Sequence, residues 1–166
     1  AGSIEKMLPI IKAIPYQDIS IFVVIHILPD KESHLSEIIQ NVTGYKVVEA
    51  LNNIEIQKGC LYVARSSYHM IVSDNHLYLN DSAPVKHAKP SIDMTFKSLS
   101  YEYKNSLLAI LLCGYGNDGS DSIHDLKMQS SDVIIVNPIE CEAKDMPQNA
   151  IQASSQTNIF GVEQIK

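Results

Sequence analysis

The sequence has little positive charge, and it lacks a long apolar run. Its 13 lysines and arginines stand against 19 aspartates and glutamates, so the formal net charge is −6. This balance argues against a protein whose main work is to bind nucleic-acid phosphates, since that work needs a basic face. No apolar stretch approaches the roughly 18 residues of a membrane span, and no secretory signal pattern is visible. We therefore expect neither nucleic-acid binding nor membrane insertion.

Cysteines are also few, and they are scattered. Cys60, Cys113 and Cys141 match no Cys-x-x-Cys metal or redox motif. An odd and sparse count predicts reduced thiols and a cytoplasmic domain. The histidines show no ligand spacing with cysteines or carboxylates, so we expect no metal site.

The pattern of apolar residues predicts an α/β domain. Apolar residues make up 45% of the 166, enough for the core of one globular domain. The continuous apolar runs at 19–27 and 107–113 are typical of strands buried on both faces of a parallel sheet. Further strands are predicted at 45–50, 60–64, 69–73, 76–79 and 133–136, and helices at 4–14, 31–41, 92–103, 122–128 and 146–154. We predict a doubly wound fold with a mostly parallel sheet, helices on both faces and a β-hairpin-rich insert.

Two chemically capable side chains come where predicted strands end. His26 ends the first run, and Asp118 follows the second, within the glycine-rich segment 114–119. Ligands bind beyond the carboxyl ends of parallel strands. A histidine there can act as a general base, and an aspartate can orient it. A buried structural histidine and a plain glycine turn are the competing interpretations. The segment lacks phosphate-loop spacing, so the residues alone leave the choice open.

A set of short motifs spans nearly the whole chain in a fixed order. They are His26-Ile27-Leu28-Pro29, Tyr62-Val63-Ala64, His69-Met70, Lys89-Pro90-Ser91-Ile92-Asp93-Met94-Thr95-Phe96, Gly114-Tyr115-Gly116-Asn117-Asp118-Gly119 and Met146-Pro147. Together they resemble the catalytic domain of the bacterial chemotaxis protein-glutamate methylesterase family. The resemblance implies hydrolysis of glutamate methyl esters on chemoreceptors, and deamidation of certain receptor glutamines, by a Ser-His-Asp triad without metal or cofactor.

Carried over by position, His26 matches the triad histidine and Asp118 the aspartate. Gly114, Tyr115 and Gly116 match the oxyanion side of the site, although the family usually has Thr-Gly-Met-Gly here. The serine is harder to place. A gapless alignment puts the nucleophile and the first strand just upstream of residue 1, whereas a shift of three residues brings Ser3 onto the nucleophile position. The gapless register is preferred.

The resemblance also implies partners. These are the methylated cytoplasmic helices of chemoreceptors, together with a receiver or methyltransferase-like domain; residues 1–166 contain no receiver. Other family glycines are replaced, as at Ser130 and Asp145, which suggests a divergent member. Two alternatives stay open. The chain could be a catalytically silent regulatory or binding module that keeps the fold, or an unrelated small-molecule esterase.

Overall fold

A computed structural model describes residues 4–26, 34–154 and 158–166. The helices are α1 (Ile4–Ala13), α2 (Leu35–Gln40), α3 (Ile92–Tyr103), α4 (Ser122–Met128), α5 (Asp145–Ala153) and α6 (Val162–Ile165). The strands are β1 (Ile21–Val23), β2 (Lys46–Glu49), β3 (Ile54–Glu55), β4 (Cys60–Val63), β5 (His69–Ser73), β6 (His76–Asn80), β7 (Leu108–Leu111), β8 (Asp132–Val136) and β9 (Asn158–Phe160). No helix in these ranges is long and apolar enough to cross a bilayer.

Two parallel sheets and one antiparallel sheet organise the strands. The first parallel sheet has the order β1-β4-β2, and the second has the order β7-β8-β9. The third sheet, β3-β6-β5, is antiparallel, and its β5–β6 pair turns at Asp74 and Asn75. Both of these turn residues have positive φ, a conformation that asparagine and aspartate tolerate better than most residues. The α/β fold with parallel sheets and helices is therefore confirmed.

Helices α1 and α3 join the two parallel sheets from opposite faces. On one face, Met7 of α1 packs with the first sheet, and Ile10 packs with the carboxyl-terminal side of the second sheet, at Cys113, Val136 and Val162. On the other face, Leu99 of α3 packs with β4 of the first sheet, and Ile92 packs with β7 and β8 of the second. Between the helices lies an apolar cavity of about 150 Å³, which is lined by residues of both β1 and β7. In the described part of the chain, β1 pairs only with β4 and β7 only with β8.

Several elements differ from the sequence prediction. The strand predicted at 60–64 is β4, and all four of its residues are buried because it is the central strand of a parallel sheet. The short elements β3, β9 and α6 were not predicted, since two to four residues give no readable period. The predicted strand 19–27 and helix 31–41 extend into residues 27–33, which lie outside the described ranges.

The expectation of reduced thiols is wrong for two of the three cysteines. Cys113 and Cys141 form a disulfide, with their Cα atoms 5.4 Å apart. Cys113 follows β7, and Cys141 lies beyond β8, the neighbouring parallel strand. Residues that leave neighbouring parallel strands emerge at the same edge of the sheet, so residues 28 positions apart in sequence can meet there. Cys60 is free and buried.

Candidate active site

The structure brings His26 and Asp118 together across 92 residues of sequence. Nε2 of His26 lies 2.8 Å from Oδ2 of Asp118. His26 lies three residues beyond the end of β1, and Asp118 lies in the turn that follows β7. The imidazole is 22% exposed and the carboxylate only 3%. The pair therefore has a buried carboxylate and an accessible ring. Nδ1 of His26 has no hydrogen-bond partner in the described part of the chain.

The Asp118 carboxylate is held at the start of α3. Oδ1 accepts hydrogen bonds from the Ser91 hydroxyl at 2.8 Å and from the Asp93 backbone N–H at 3.0 Å. Oδ2 accepts from the Ile92 backbone N–H at 2.6 Å, in addition to its contact with His26. The first N–H groups of a helix have no partner within the helix and carry partial positive charge. A carboxylate at this point stabilises the helix and is itself stabilised.

These contacts keep Asp118 ionised. Burial is the largest influence and by itself raises the pKa of the carboxyl group. The hydrogen bonds from His26, from the two backbone N–H groups and from Ser91 act in the opposite direction. The combined effect of these hydrogen bonds is larger than that of burial, so the pKa of Asp118 lies below its ordinary value. An ionised aspartate beside an imidazole fixes the ring orientation and stabilises the imidazolium form.

Gly119 allows the turn that carries Asp118 to lie against α3. Its φ of +92° falls in the left-handed region, where a side chain is strained. A Cβ atom here would lie 2.8 Å from a methyl carbon of Leu111 and 3.0 Å from one of Ile92. Both the conformation and the close packing therefore require glycine directly after the aspartate.

The candidate oxyanion wall at residues 114–116 is only partly free to donate hydrogen bonds. The Gly114 N–H donates to the Ala143 carbonyl at 2.8 Å. The Gly116 N–H makes a long contact of 3.5 Å with a carboxylate oxygen of Asp145. The Tyr115 N–H has no partner among the described residues, and Tyr115 as a whole is 71% exposed. The free donor on this wall is therefore the N–H of Tyr115.

Ser3 lies outside the described residues, as do Ile27, Leu28 and Pro29. The structure thus brings together two of the three predicted triad positions. Within the described ranges, no group of three or more His, Cys, Asp or Glu side chains is placed to hold a metal ion.

Sequence reasoning missed part of the support for this site. Ser91 is the N-cap of α3, where its hydroxyl accepts from the Met94 N–H at 3.3 Å, and it also donates to Asp118. His69 is fully buried; its Nδ1 accepts from the Ser91 N–H, and its Nε2 donates to the Ala83 carbonyl. Both residues stand in the motif set, Ser91 in Pro90-Ser91-Ile92-Asp93 and His69 in His69-Met70, but neither motif shows which atoms these side chains contact.

The family model, the curated relatives and the solved structure described below all point to one family. The model of the family described as CheB methylesterase matches residues 1–166. An Archaeoglobus fulgidus protein-glutamate methylesterase/protein-glutamine glutaminase is 30% identical over 87% of this chain and 43% of its own length. A Leptospira interrogans protein that is provisionally assigned the same two activities is 29% identical over 99% of this chain and 86% of its own length. The chain thus spans less than half of the first relative and most of the second.

A solved structure matches the fold. The crystal structure of the Thermotoga maritima CheB methylesterase catalytic domain superimposes with a TM-score of 0.89 at 23% sequence identity. The match covers 97% of this chain and 88% of the other. At this level of identity the likeness establishes the fold.

Proposed function

Since this chain belongs to the CheB methylesterase family, we propose that it hydrolyses glutamate methyl esters on chemoreceptors and deamidates receptor glutamines. The observation that carries the proposal is the His26–Asp118 pair at the carboxyl edge of the parallel sheets, with a 2.8 Å contact and a buried, ionised carboxylate. A catalytically silent module has no need for an accessible imidazole supported in this way.

The proposed nucleophile is a serine at the end of a strand that fills the cavity between β1 and β7. Both strands have an unpaired side in the described structure, and α1 and α3 cover the cavity from opposite faces. One further parallel strand would join the two sheets into a seven-stranded sheet, β2-β4-β1-X-β7-β8-β9. A buried strand edge without partners is costly. A strand X encoded upstream of residue 1 satisfies both edges, and α1 then provides its crossover to β1.

This strand order places the serine between its two partners. The chain winds from strand X through α1 to β1 on one side, whereas α3 leads to β7 on the other. Strand X is therefore the topological switch point, where doubly wound sheets bind ligands. Its carboxyl end would lie beside His26 on one side and the Asp118 turn on the other. Ser3 remains the alternative nucleophile under the shifted register.

The proposed reaction is an acyl transfer through the serine. The hydroxyl oxygen attacks the ester carbonyl carbon while the hydroxyl proton moves to His26. Nδ1 of His26 is the available acceptor because Nε2 contacts Asp118. The C–O bond to the methoxy group breaks, and methanol leaves with the proton from His26. Water then attacks the acyl carbon, His26 takes a proton from the water and returns it to the serine oxygen, and the bond between the acyl carbon and that oxygen breaks to release glutamate. For a glutamine substrate the leaving group is ammonia.

The negative charge on the attacked carbonyl oxygen needs hydrogen-bond donors. The free N–H of Tyr115 is the proposed donor on the wall formed by residues 114–116, since the N–H of Gly114 is already bonded to Ala143. No step requires a metal or a cofactor. We place residues 1–166, with strand X, in a catalytic domain that acts in the cytoplasm on receptor helices. A receiver or methyltransferase-like domain is a candidate partner within the full-length protein.

Release of methanol from a methylated receptor tests this proposal. The full-length protein is incubated with methyl-labelled receptor, and volatile label is measured for the wild type, His26→Ala and His124→Ala. His124 is an exposed histidine on α4 and serves as the matched control. We expect release by the wild type and the control and none by His26→Ala. A folded wild type that binds receptor but releases no label would instead identify a silent binding module.

A further inference from the structure

We propose that Lys86 is a positioning residue for the His26–Asp118 pair: its ammonium group holds the turn that carries Asp118 against the start of α3. The catalytic meaning of this inference rests on the proposed esterase function. The structural part, however, stands on contacts that can be measured without turnover.

The Lys86 ammonium group makes contacts with two separate elements. Nζ lies 2.9 Å from a carboxylate oxygen of Asp93 on α3 and 2.9 Å from one of Asp121, just before α4. It also donates to the Asn117 carbonyl at 3.1 Å and to the Ser120 hydroxyl at 3.2 Å. The Lys86 side chain is only 18% exposed. It therefore links α3 to the turn at 117–121 through a largely covered ammonium group, although the Asp121 side chain is 76% exposed.

Both ends of this cross-link reach Asp118. Asn117 is its neighbour in sequence and Ser120 lies two residues on, so Lys86 holds the turn on both sides of the aspartate. Asp93 binds Asp118 directly, because its backbone N–H donates to Oδ1 at 3.0 Å. The Asp93 side chain also accepts from the Ser122 N–H at 2.9 Å. Lys86 and Asp93 thus fix the distance between the donors at the start of α3 and the carboxylate that accepts from them.

The backbone at Lys86 is strained in a way that fits a functional role. Lys86 and His87 have φ values of 49° and 65°, in the left-handed region that favours glycine and asparagine. They form the tip of a tight turn closed by hydrogen bonds between Val85 and Ala88. Neither residue is the natural choice for such a turn. The four contacts of the Lys86 ammonium group supply the stabilisation that offsets this strain.

The charge of Lys86 lies between the carboxylates of Asp93 and Asp121. Burial disfavours the charged form of Lys86, but hydrogen bonds to Asp121 and Asp93 outweigh it and raise its pKa above the ordinary value. The charged and titratable groups around Asp118 are His26 from the end of β1, Asp93 from α3, and Lys86 and Asp121 beside its own turn. Without Lys86, two carboxylates would remain near Asp118 with no cation between them, and they would raise the pKa of Asp118.

Three variants test the proposal by nuclear magnetic resonance (NMR). The carboxyl carbon of Asp118 is titrated in Lys86→Met, Lys86→Arg and Lys89→Met, and the low-field proton of the His26–Asp118 hydrogen bond is followed. Lys89 is the matched control; it is 17% exposed, and among the described residues its ammonium group pairs only with the exposed Asp81, 2.7 Å away. We expect the Asp118 midpoint to rise by about one pH unit in Lys86→Met and the proton signal to weaken. In Lys86→Arg and Lys89→Met we expect the Asp118 midpoint and the proton signal to stay near their wild-type values.

An Asp118 midpoint and a proton signal that are unchanged in a folded Lys86→Met variant would overturn the proposal. If that variant does not fold, the comparison is made between Asp93→Asn and the double variant Asp93→Asn with Lys86→Met. The amide in Asp93→Asn removes the carboxylate charge that Lys86→Met would leave unpaired, and its oxygen still accepts from the Ser122 N–H. The proton signal is then expected to weaken when Lys86→Met is added. In the full-length enzyme, kcat falls about tenfold in Lys86→Met with KM unchanged. Absence of turnover in every variant would count against the esterase function and leave the NMR result to decide on Lys86.

Discussion

Replacement of Asp118 by asparagine separates the charge of this residue from its shape. Each carboxylate oxygen accepts two hydrogen bonds, Oδ1 from Ser91 and Asp93 and Oδ2 from Ile92 and His26. An asparagine can keep the first pair, but its NH₂ group then faces the Ile92 N–H. The His26 contact survives by a change of tautomer, whereas the buried Ile92 donor loses its acceptor. Such a loss costs about 2 kcal/mol, so Tm falls by about 6 °C for a chain of this size.

The pH dependence of this loss has a definite sign. The pKa of Asp118 in the folded protein lies below its ordinary value. The ionised carboxylate therefore contributes stability that is fully present above the pKa of the unfolded chain, about 3.9, and is lost as pH falls through the folded pKa. In urea unfolding, the difference in unfolding free energy between the wild type and Asp118→Asn should be constant from pH 7 to pH 5 and should become smaller below about pH 4.

The matched control is Asp81→Asn, because the Asp81 side chain is 78% exposed and its ion pair with Lys89 lies on the surface. We expect a change within about 0.5 kcal/mol for this variant. Two results would show that the Asp118 carboxylate does not stabilise the fold in this way. One is an unfolding free energy of Asp118→Asn equal to that of the wild type at pH 7, and the other is a difference between the two that stays undiminished down to pH 3.

The remaining predictions concern the ring, the disulfide and the site wall. His26→Ala should abolish ester hydrolysis while leaving Tm within a few degrees, since the ring makes one hydrogen bond at the edge of the site; calorimetry checks the second part. Cys141→Ser should lower stability by about 3 to 4 kcal/mol, as expected for opening a loop with a sequence separation of 28, and denaturant unfolding measures it. Tyr115→Met should raise kcat/KM for methylated receptor and leave Tm unchanged, because Tyr115 belongs to the candidate oxyanion wall and is 71% exposed.

Each of these predictions has a contrary result. Ester hydrolysis by His26→Ala would remove the ring from the mechanism. Equal stability of the wild type and Cys141→Ser under oxidising conditions would mean that the bridge does not form in solution. A lower kcat/KM in Tyr115→Met would make the tyrosine a binding contact for the receptor instead of an obstacle to it.

The sequence carried enough signal for the long elements and for the two site residues. Helix α3 has the predicted bounds, because its apolar spacing and the Ser91 cap are both strong local signals. His26 and Asp118 could be picked out since His26 lies at the end of one apolar run and Asp118 follows another, and each run contains a parallel strand in the structure. Their contact depends on packing across 92 residues, which no local pattern encodes.

Other features depend on neighbours that are distant in sequence. The Cys113–Cys141 bridge follows from the adjacency of β7 and β8, and the role of Lys86 follows from a turn that brings it to Asp93. One departure from the family was informative. Ser130, at a position where glycine is usual, has a φ of 61°, so the backbone keeps the left-handed turn despite the side chain.

The central claim is that His26 and Asp118 serve a serine on a strand encoded upstream of residue 1. Labelling of the full-length protein with a serine-reactive fluorophosphonate, followed by peptide mass mapping, tests it most directly. A single adduct on a serine upstream of residue 1, absent from His26→Ala, is the predicted result. An adduct on Ser3 would contradict the proposed strand, and no adduct on a folded full-length protein would contradict the enzyme itself.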